Sequence, residues 1–427
     1  MSIFQKYILK NNLRILTIPL ENTNAATLLI LIKVGSKYEQ KQKNGISHFL
    51  EHMFFKGTKK HPTAFDIAKI FDQIGGEYNA FTSQEYTGFY AKVNWKHWGI
   101  ALDVLSDAIL NSKFDNDDLN REKGVIIEEI NMYQDSPMEY VSTLWNKVLY
   151  GNQPAGWDIA GTKKTVLNIS RSDMIKYYQK YYVSNNTVIC AAGKLPKDKE
   201  ILIKNITDSF DYKLENKKNC EFLPVKEIQK KPEVLLKHKK TDQTHLILGV
   251  RGYDMFHKDR FAIKLLSIIL GGGMSSRLFM EIREKRGLAY YIYTKAESDT
   301  DTGFLASGAG LDNRKVSVAI KIILDEYIKI AANGVCQEEL EKAKEYLKGK
   351  MILNLETSDE WANFIASQEL LRGDVLSLEE ISAKIESVEI SDIKRVAEDI
   401  FTNQKLNLAL IGPFKDKRKF EEILKFN

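Results

Sequence analysis

LILIKVG at residues 29–35, followed by NGISHFLEHMFFKG at 44–57, returns in altered form as LILGVRG at 246–252 and DRFAIKLLSIILGG at 259–272. Each pair reads as a buried apolar strand leading into a helix with apolar residues at helical spacing. Further along, IGGEYNAFTSQEYTGFYAKV (74–93) has a counterpart in RGLAYYIYTKAESDTDTGFLASG (286–308). FDNDDLNREKGVIIEEI (114–130) matches VCQEELEKAKEYLKGKM (335–351). Four matches in one order imply a duplicated unit. The mixed order of strands and helices predicts an α+β class: two homologous domains, each an antiparallel or mixed sheet packed with helices. The expected boundaries are 1–215 and 234–427, with a polar linker at 216–233 punctuated by Pro224 and Pro232.

Within the first copy, the pattern predicts strands at 3–9, 13–18, 26–34, 77–81, 86–93 and 187–192. Helices are expected at 45–55, 64–74, 97–111, 116–133, 138–149 and 171–181, with Asp115 as a cap and Gly57 closing the first.

The chain has 427 residues, 44% hydrophobic and 28% charged, which suits a globular protein with sizeable cores. No apolar run reaches the roughly 18 to 20 residues that span a bilayer. The first twenty residues lack secretory or transit character, so a cytoplasmic location is expected. Three scattered cysteines, Cys190, Cys220 and Cys336, form neither a disulfide framework nor a cysteine-type zinc site. A net charge of +5 without a dense basic run argues against a nucleic-acid partner. Lys230, Lys231, Lys237, Lys239 and Lys240 read as solvated linker or strand-edge residues. Gly271-Gly272-Gly273 lacks the Lys-Ser/Thr that a phosphate loop requires and reads as a connection between helices.

The chemistry concentrates in His48-Phe49-Leu50-Glu51-His52, an H-x-x-E-H on a helix. Residues four apart share a helical face, so His48 and His52 can present imidazoles to one metal ion. Glu51 borders that face, placed to take a proton from a metal-bound water. Such a site needs a third ligand, and the helix with Glu122, Glu128 and Glu129 is the best supplier. Glu122 and Glu129, seven apart, share a face, so one can ligate while the other orients a histidine. Spacing alone does not separate Glu128 from Glu129. Two histidines on an apolar helix can also be hydrogen-bonded core residues. The second copy argues otherwise: His48, Glu51 and His52 fall on Ile263, Leu266 and Ser267, and Glu129 on Lys350. The polar set is lost together while the helix stays, as expected if it serves one site and not the fold.

The stretch NGISHFLEHMFFKGT resembles the motif of the pitrilysin/insulinase family of zinc metallopeptidases, nearest the processing-peptidase catalytic subunits and their bacterial relatives. GGEYNAFTSQEYTGFY, REKGVIIEEI, WDIAGT (157–162) and LGGGMSSRLFMEIREKRGLAYYIYT extend the likeness over nearly the whole chain. The resemblance implies a zinc-dependent endopeptidase acting on peptides or unfolded segments, with one zinc per chain and Glu51 as general base. Glu129, 77 positions after His52, matches the family's third ligand and is chosen over Glu128 on that ground; Glu122 matches the acidic residue behind the site. Asn79 and Ala80 match the edge strand that pairs with substrate, and Arg283 and Tyr290 match a pair that reaches the zinc site from the opposing half of a clamshell. A chain of this length corresponds to half of that clamshell, which implies a homodimer. The alternatives are a catalytic subunit needing an inactive homologous partner, or a non-catalytic peptide-binding homologue.

Overall fold

The computed structural model describes residues 3–210 and 221–426. Its first sheet holds β1 (Gln5–Ile8), β2 (Arg14–Pro19), β3 (Ala25–Ile32), β4 (Glu77–Thr82), β5 (Thr87–Asn94) and β6 (Thr187–Gly193). The helices of that half are α1 (Ile46–Phe54), α2 (Ala64–Ile74), α3 (Trp98–Asn111) and α4 (Asn116–Asp135). They continue with α5 (Pro137–Tyr150), α6 (Lys163–Asn168), α7 (Arg171–Tyr181) and α8 (Lys199–Phe210). The second sheet contains β7 (Glu233–His238), β8 (Gln243–Arg251), β9 (Ala289–Ser298), β10 (Gly303–Asp312) and β11 (Leu406–Gly412). Its half contributes α9 (Arg260–Gly271), α10 (Val316–Asn333), α11 (Gln337–Leu353) and α12 (Ser358–Leu371). The last helices are α13 (Leu378–Glu386), α14 (Ile390–Ile400) and α15 (Arg418–Ile423).

The strand orders establish the duplication. The first sheet runs β1-β2-β6-β3-β5-β4 and the second β7-β11-β8-β10-β9. Apart from the extra β1, the two orders correspond strand for strand. Both also place a single parallel pair in the same position, β2 with β6 and β7 with β11. Each sheet is therefore mixed, as the sequence implies.

In β3 the apolar run is continuous because both faces are covered. Leu28, Ile30 and Ile32 face a core built with α1, α3, α4, α7 and α8. Leu29 and Leu31 face the other way, with Leu16, Ile18, Val188 and Cys190, against Ala362, Ile365, Ala366 and Leu370 of α12. That helix is fastened by Thr27 Oγ1 to Ser358 Oγ at 2.8 Å and by Lys92 to Asp359 at 2.7 Å. In the second sheet, Val141, Leu144, Trp145, Val148 and Leu149 of α5 pack on Ile247, Phe304, Ala306, Ala409 and Ile411.

The two chain halves thus exchange a helix. One compact unit comprises residues 1–130, 158–223 and 354–377; the other comprises 131–157, 224–353 and 378–427. The sequence pattern divides the chain into contiguous halves, because it shows that the helix expected at 138–149 has an apolar face but not which sheet it covers, and it marks no helix at 358–371. Residues 216–220 of the expected linker lie outside the described residues, and 221–232 form neither helix nor strand.

Other differences include two local ones. Helix α8 is absent from the sequence reading, although Leu202, Ile206 and Phe210 mark its buried face. Helix α1 ends at Phe54, before Gly57, whose φ of +140° belongs to a close approach: a Cβ there would meet Pro62 O at 2.3 Å. Among the described residues no helix is long and apolar enough to cross a membrane.

The exchanged helix α5 anchors through Trp145, 2% exposed. Trp145→Ala should cost about 3–5 kcal/mol, the range for emptying a buried aromatic site. Denaturant unfolding of the two proteins checks this. A loss under about 1 kcal/mol would mean that α5 is peripheral to its unit.

Candidate metal centre

Helix α1 buries Ile46, Ser47, Phe49, Leu50, Met53 and Phe54, which leaves His48, Glu51 and His52 half-buried along the remaining face. Its N-terminus is held by a residue absent from the sequence reading. The buried carboxylate of Glu39 accepts hydrogen bonds from Gly45 N at 2.7 Å, Ser47 N at 2.9 Å and Asn44 Nδ2 at 2.9 Å. An acceptor here satisfies amide groups that have no partner within the helix. Gly45 is left-handed, with φ +96°, and a Cβ would meet Ala160 O at 2.6 Å. The WDIAGT run therefore packs directly on the start of the site helix.

Helix α4 buries Leu119, Glu122, Ile126 and Ile130 on one face. Glu129 lies half-buried beside that row, whereas Glu128 is exposed. The geometry separates the two glutamates that spacing leaves equivalent.

Three ligand atoms converge. His48 Nε2 and His52 Nε2 are 3.3 Å apart, and Glu129 Oε2 lies 3.5 Å from the first and 3.4 Å from the second. Atoms bound at about 2.0–2.1 Å to a tetrahedral zinc ion stand about 3.3–3.4 Å from one another. The triangle therefore fits such an ion. These three are the one set among the described residues that could hold a metal.

Behind them, His52 Nδ1 lies 2.9 Å from Glu122 Oε1, and Lys56 Nζ lies 2.7 Å from Glu122 Oε2. A proton on Nδ1, donated to Glu122, leaves the Nε2 lone pair free for a metal. Burial works against charge on His52, but its bonds to Glu122 and Glu129 prevail and raise its pKa to about 9 in the absence of metal. Hydrogen bonds from His48 and His52 hold the Glu129 carboxyl well below the usual range. Burial opposes ionisation of Glu122 too, yet His52 and Lys56 keep its pKa low. His48 Nδ1 is buried without a hydrogen-bond partner. Glu51 accepts a hydrogen bond from Thr82 Oγ1 at 2.6 Å.

Among the described residues, strand β4 is an edge of the first sheet, paired only with β5. It packs against α1, with Tyr78 edge-on to Phe55 at 5.1 Å. Asn79 is exposed and Ala80 half-buried on this edge. In the other unit, Arg283 sits in a π-helical turn, Phe279–Glu284, its guanidinium 5.9 Å from the ring of Tyr290, which is 75% exposed. The structure thus brings Arg283 and Tyr290 together. In the degenerate copy, Ile263, Leu266 and Ser267 are all buried, and Lys350 is exposed.

Residues 14–163 match the insulinase (peptidase family M16) model, and residues 168–347 match the peptidase M16 inactive domain. The chain belongs to the M16 peptidase family. This M16 protein is 37% identical over 409 residues to an uncharacterized zinc protease of Bacillus subtilis, covering 96% of the chain and 98% of the relative. It is 36% identical over 416 residues to an uncharacterized zinc protease of Streptomyces coelicolor, covering 96% and 90%. Among solved structures, a protease from Helicobacter pylori matches with a TM-score of 0.90 and 26% identity, covering 96% of this chain and 99% of that one.

Burial pushes the Glu39 carboxyl up to about 7, despite its hydrogen-bond donors. The folded state then keeps a proton that the unfolded chain releases near its ordinary value of 4.5, so stability should fall as pH rises from about 4.5 to about 7. The full change is on the order of 3 kcal/mol. Melting of metal-free protein across this window should show a steeper decline for wild type than for Glu39→Gln. Parallel curves would assign the slope to other groups.

Proposed function

We propose that this M16 chain is a zinc-dependent endopeptidase that hydrolyses peptides or unfolded protein segments. The observation that carries the reading is the triangle of His48 Nε2, His52 Nε2 and Glu129 Oε2, with Glu51 on the same face of α1. One zinc per chain is held by these three residues. When bound, the ion lowers the pKa of a coordinated water toward neutrality and polarises the scissile carbonyl.

Glu51 takes the proton of the attacking water and later delivers it to the leaving amine. Glu122 fixes the tautomer and orientation of His52, while Lys56 keeps Glu122 ionised. Asn79 and Ala80 bind the substrate backbone by adding it as a strand to the open edge of β4, which is largely indifferent to side chains. Arg283 and Tyr290 of a neighbouring protomer hold the substrate carbonyl and stabilise the oxyanion as it develops. The chain carries both a complete ligand set and the Arg–Tyr pair, which favours a self-sufficient homodimer over dependence on an inactive homologue. Cys190 and Cys336 are free thiols, in keeping with a reducing, cytoplasmic setting.

Glu51→Gln should retain zinc and lose about 10²- to 10⁴-fold in kcat on a quenched fluorescent peptide, the usual contribution of a general base. Equal rates for the two proteins would overturn the mechanism. Glu122→Gln should weaken zinc binding by about 10- to 100-fold in chelator competition. Unchanged affinity would remove Glu122 from the site. Light scattering of the purified chain should give a dimer with peptidase activity; an inactive monomer would contradict the homodimer.

A further inference from the structure

Glu51 has to present one carboxylate oxygen to a proton in flight, but a glutamate side chain has three rotatable bonds and this one is only half-buried. Left alone, such a carboxylate samples several rotamers, and only some face the ligand triangle. Among the described residues a single hydrogen bond fixes it, from Thr82 Oγ1 to Glu51 Oε2 at 2.6 Å. We propose that Thr82 is the positioning residue of the peptidase reaction, locking Glu51 through Oε2 so that Oε1 is left to exchange the proton. The inference rests on the peptidase reading above and adds to it a residue outside the metal motif.

The anchor is itself rigid. Thr82 is β-branched, with restricted χ1 freedom, and ends β4 in register with Thr87 of β5. The turn that follows is pinned to the segment before α1 by Ser36 N to Ser83 O at 3.3 Å and Lys37 N to Gln84 O at 2.9 Å. Beside these contacts, Lys37 and Glu85 form an ion pair at 2.9 Å, their side chains 1% and 4% exposed. A buried pair of this kind is costly to break, because either partner alone would be an uncompensated charge. The chain from Ser36 to the β4–β5 turn thus forms a fixed frame, and Thr82 is the point where it touches the proposed base. The same strand offers the open edge at Asn79 and Ala80. One short strand therefore carries both the surface offered to a substrate and the hydroxyl that aims the base.

The test uses the full zinc-loaded chain with Thr82→Val, which keeps the shape and removes the donor, and Thr82→Ser, which keeps the donor. Thr82→Val should lose about 10- to 100-fold in kcat, the scale for a misplaced catalytic group, with KM within about twofold. Zinc content should stay unchanged, and Thr82→Ser should recover most of the rate. In a Glu51→Gln background, Thr82→Val should have no further effect, since the two substitutions act through one group. Crystals of metal-free Thr82→Val should show Glu51 in more than one rotamer. Wild-type kcat in Thr82→Val, or a loss of equal size in Thr82→Ser, would overturn the assignment; so would a single unchanged Glu51 rotamer. A zinc-loaded wild type without activity would instead count against the peptidase reading, and the rotamer comparison would then decide on Thr82 by itself.

Discussion

Two imidazole nitrogens and a carboxylate oxygen, 3.3–3.5 Å apart, are the arrangement that the first unit has to hold in place. In water the groups would separate, because an exposed ion pair is worth only about 0–1 kcal/mol, too little to hold three mobile side chains together. They stay together because their backbones do not move. Helix α1 is fixed by the burial of six of its residues and by Glu39 at its N-terminus. Helix α4 is fixed by its own apolar row, and Glu122 joins the two through His52. The rest of this unit serves largely to keep α1 and α4 in register.

The second copy shows what the same architecture does without that arrangement. Its sheet repeats the strand order and the single parallel pair, and its helix α9 takes the place of α1. Where the first copy has two histidines and a glutamate, α9 has Ile263, Leu266 and Ser267, all buried. With no ion to hold, apolar packing is the more stable use of those positions. The exchange of α5 and α12 ties the halves of the chain together covalently and through their cores. Each sheet completes its second face with a helix encoded in the other half.

Much of this was legible in the sequence, and the limits have physical causes. β3 and α1 announce themselves through apolar periodicity, and the repeat follows from recurrence of that pattern. The H-x-x-E-H spacing places His48, Glu51 and His52 on one face because helix geometry is fixed. Glu129 needed more: spacing left it equivalent to Glu128, and the structure separates them by burial. Glu39 and Thr82 left no local signal, since their roles come from distant chain segments meeting in space. The pairing of α12 with the first sheet was hidden for the same reason. Lys56 falls one turn beyond His52, and only its ion pair with Glu122 gives it meaning.

The central claim is that one metal ion sits among His48, His52 and Glu129. Anomalous diffraction at the zinc edge, from crystals grown without chelator, tests it most directly. The account predicts one strong peak per chain, within about 2.0–2.2 Å of Nε2 of both histidines and an oxygen of Glu129. A map with no peak at this triangle, or with the ion on Glu128 or elsewhere, would contradict it.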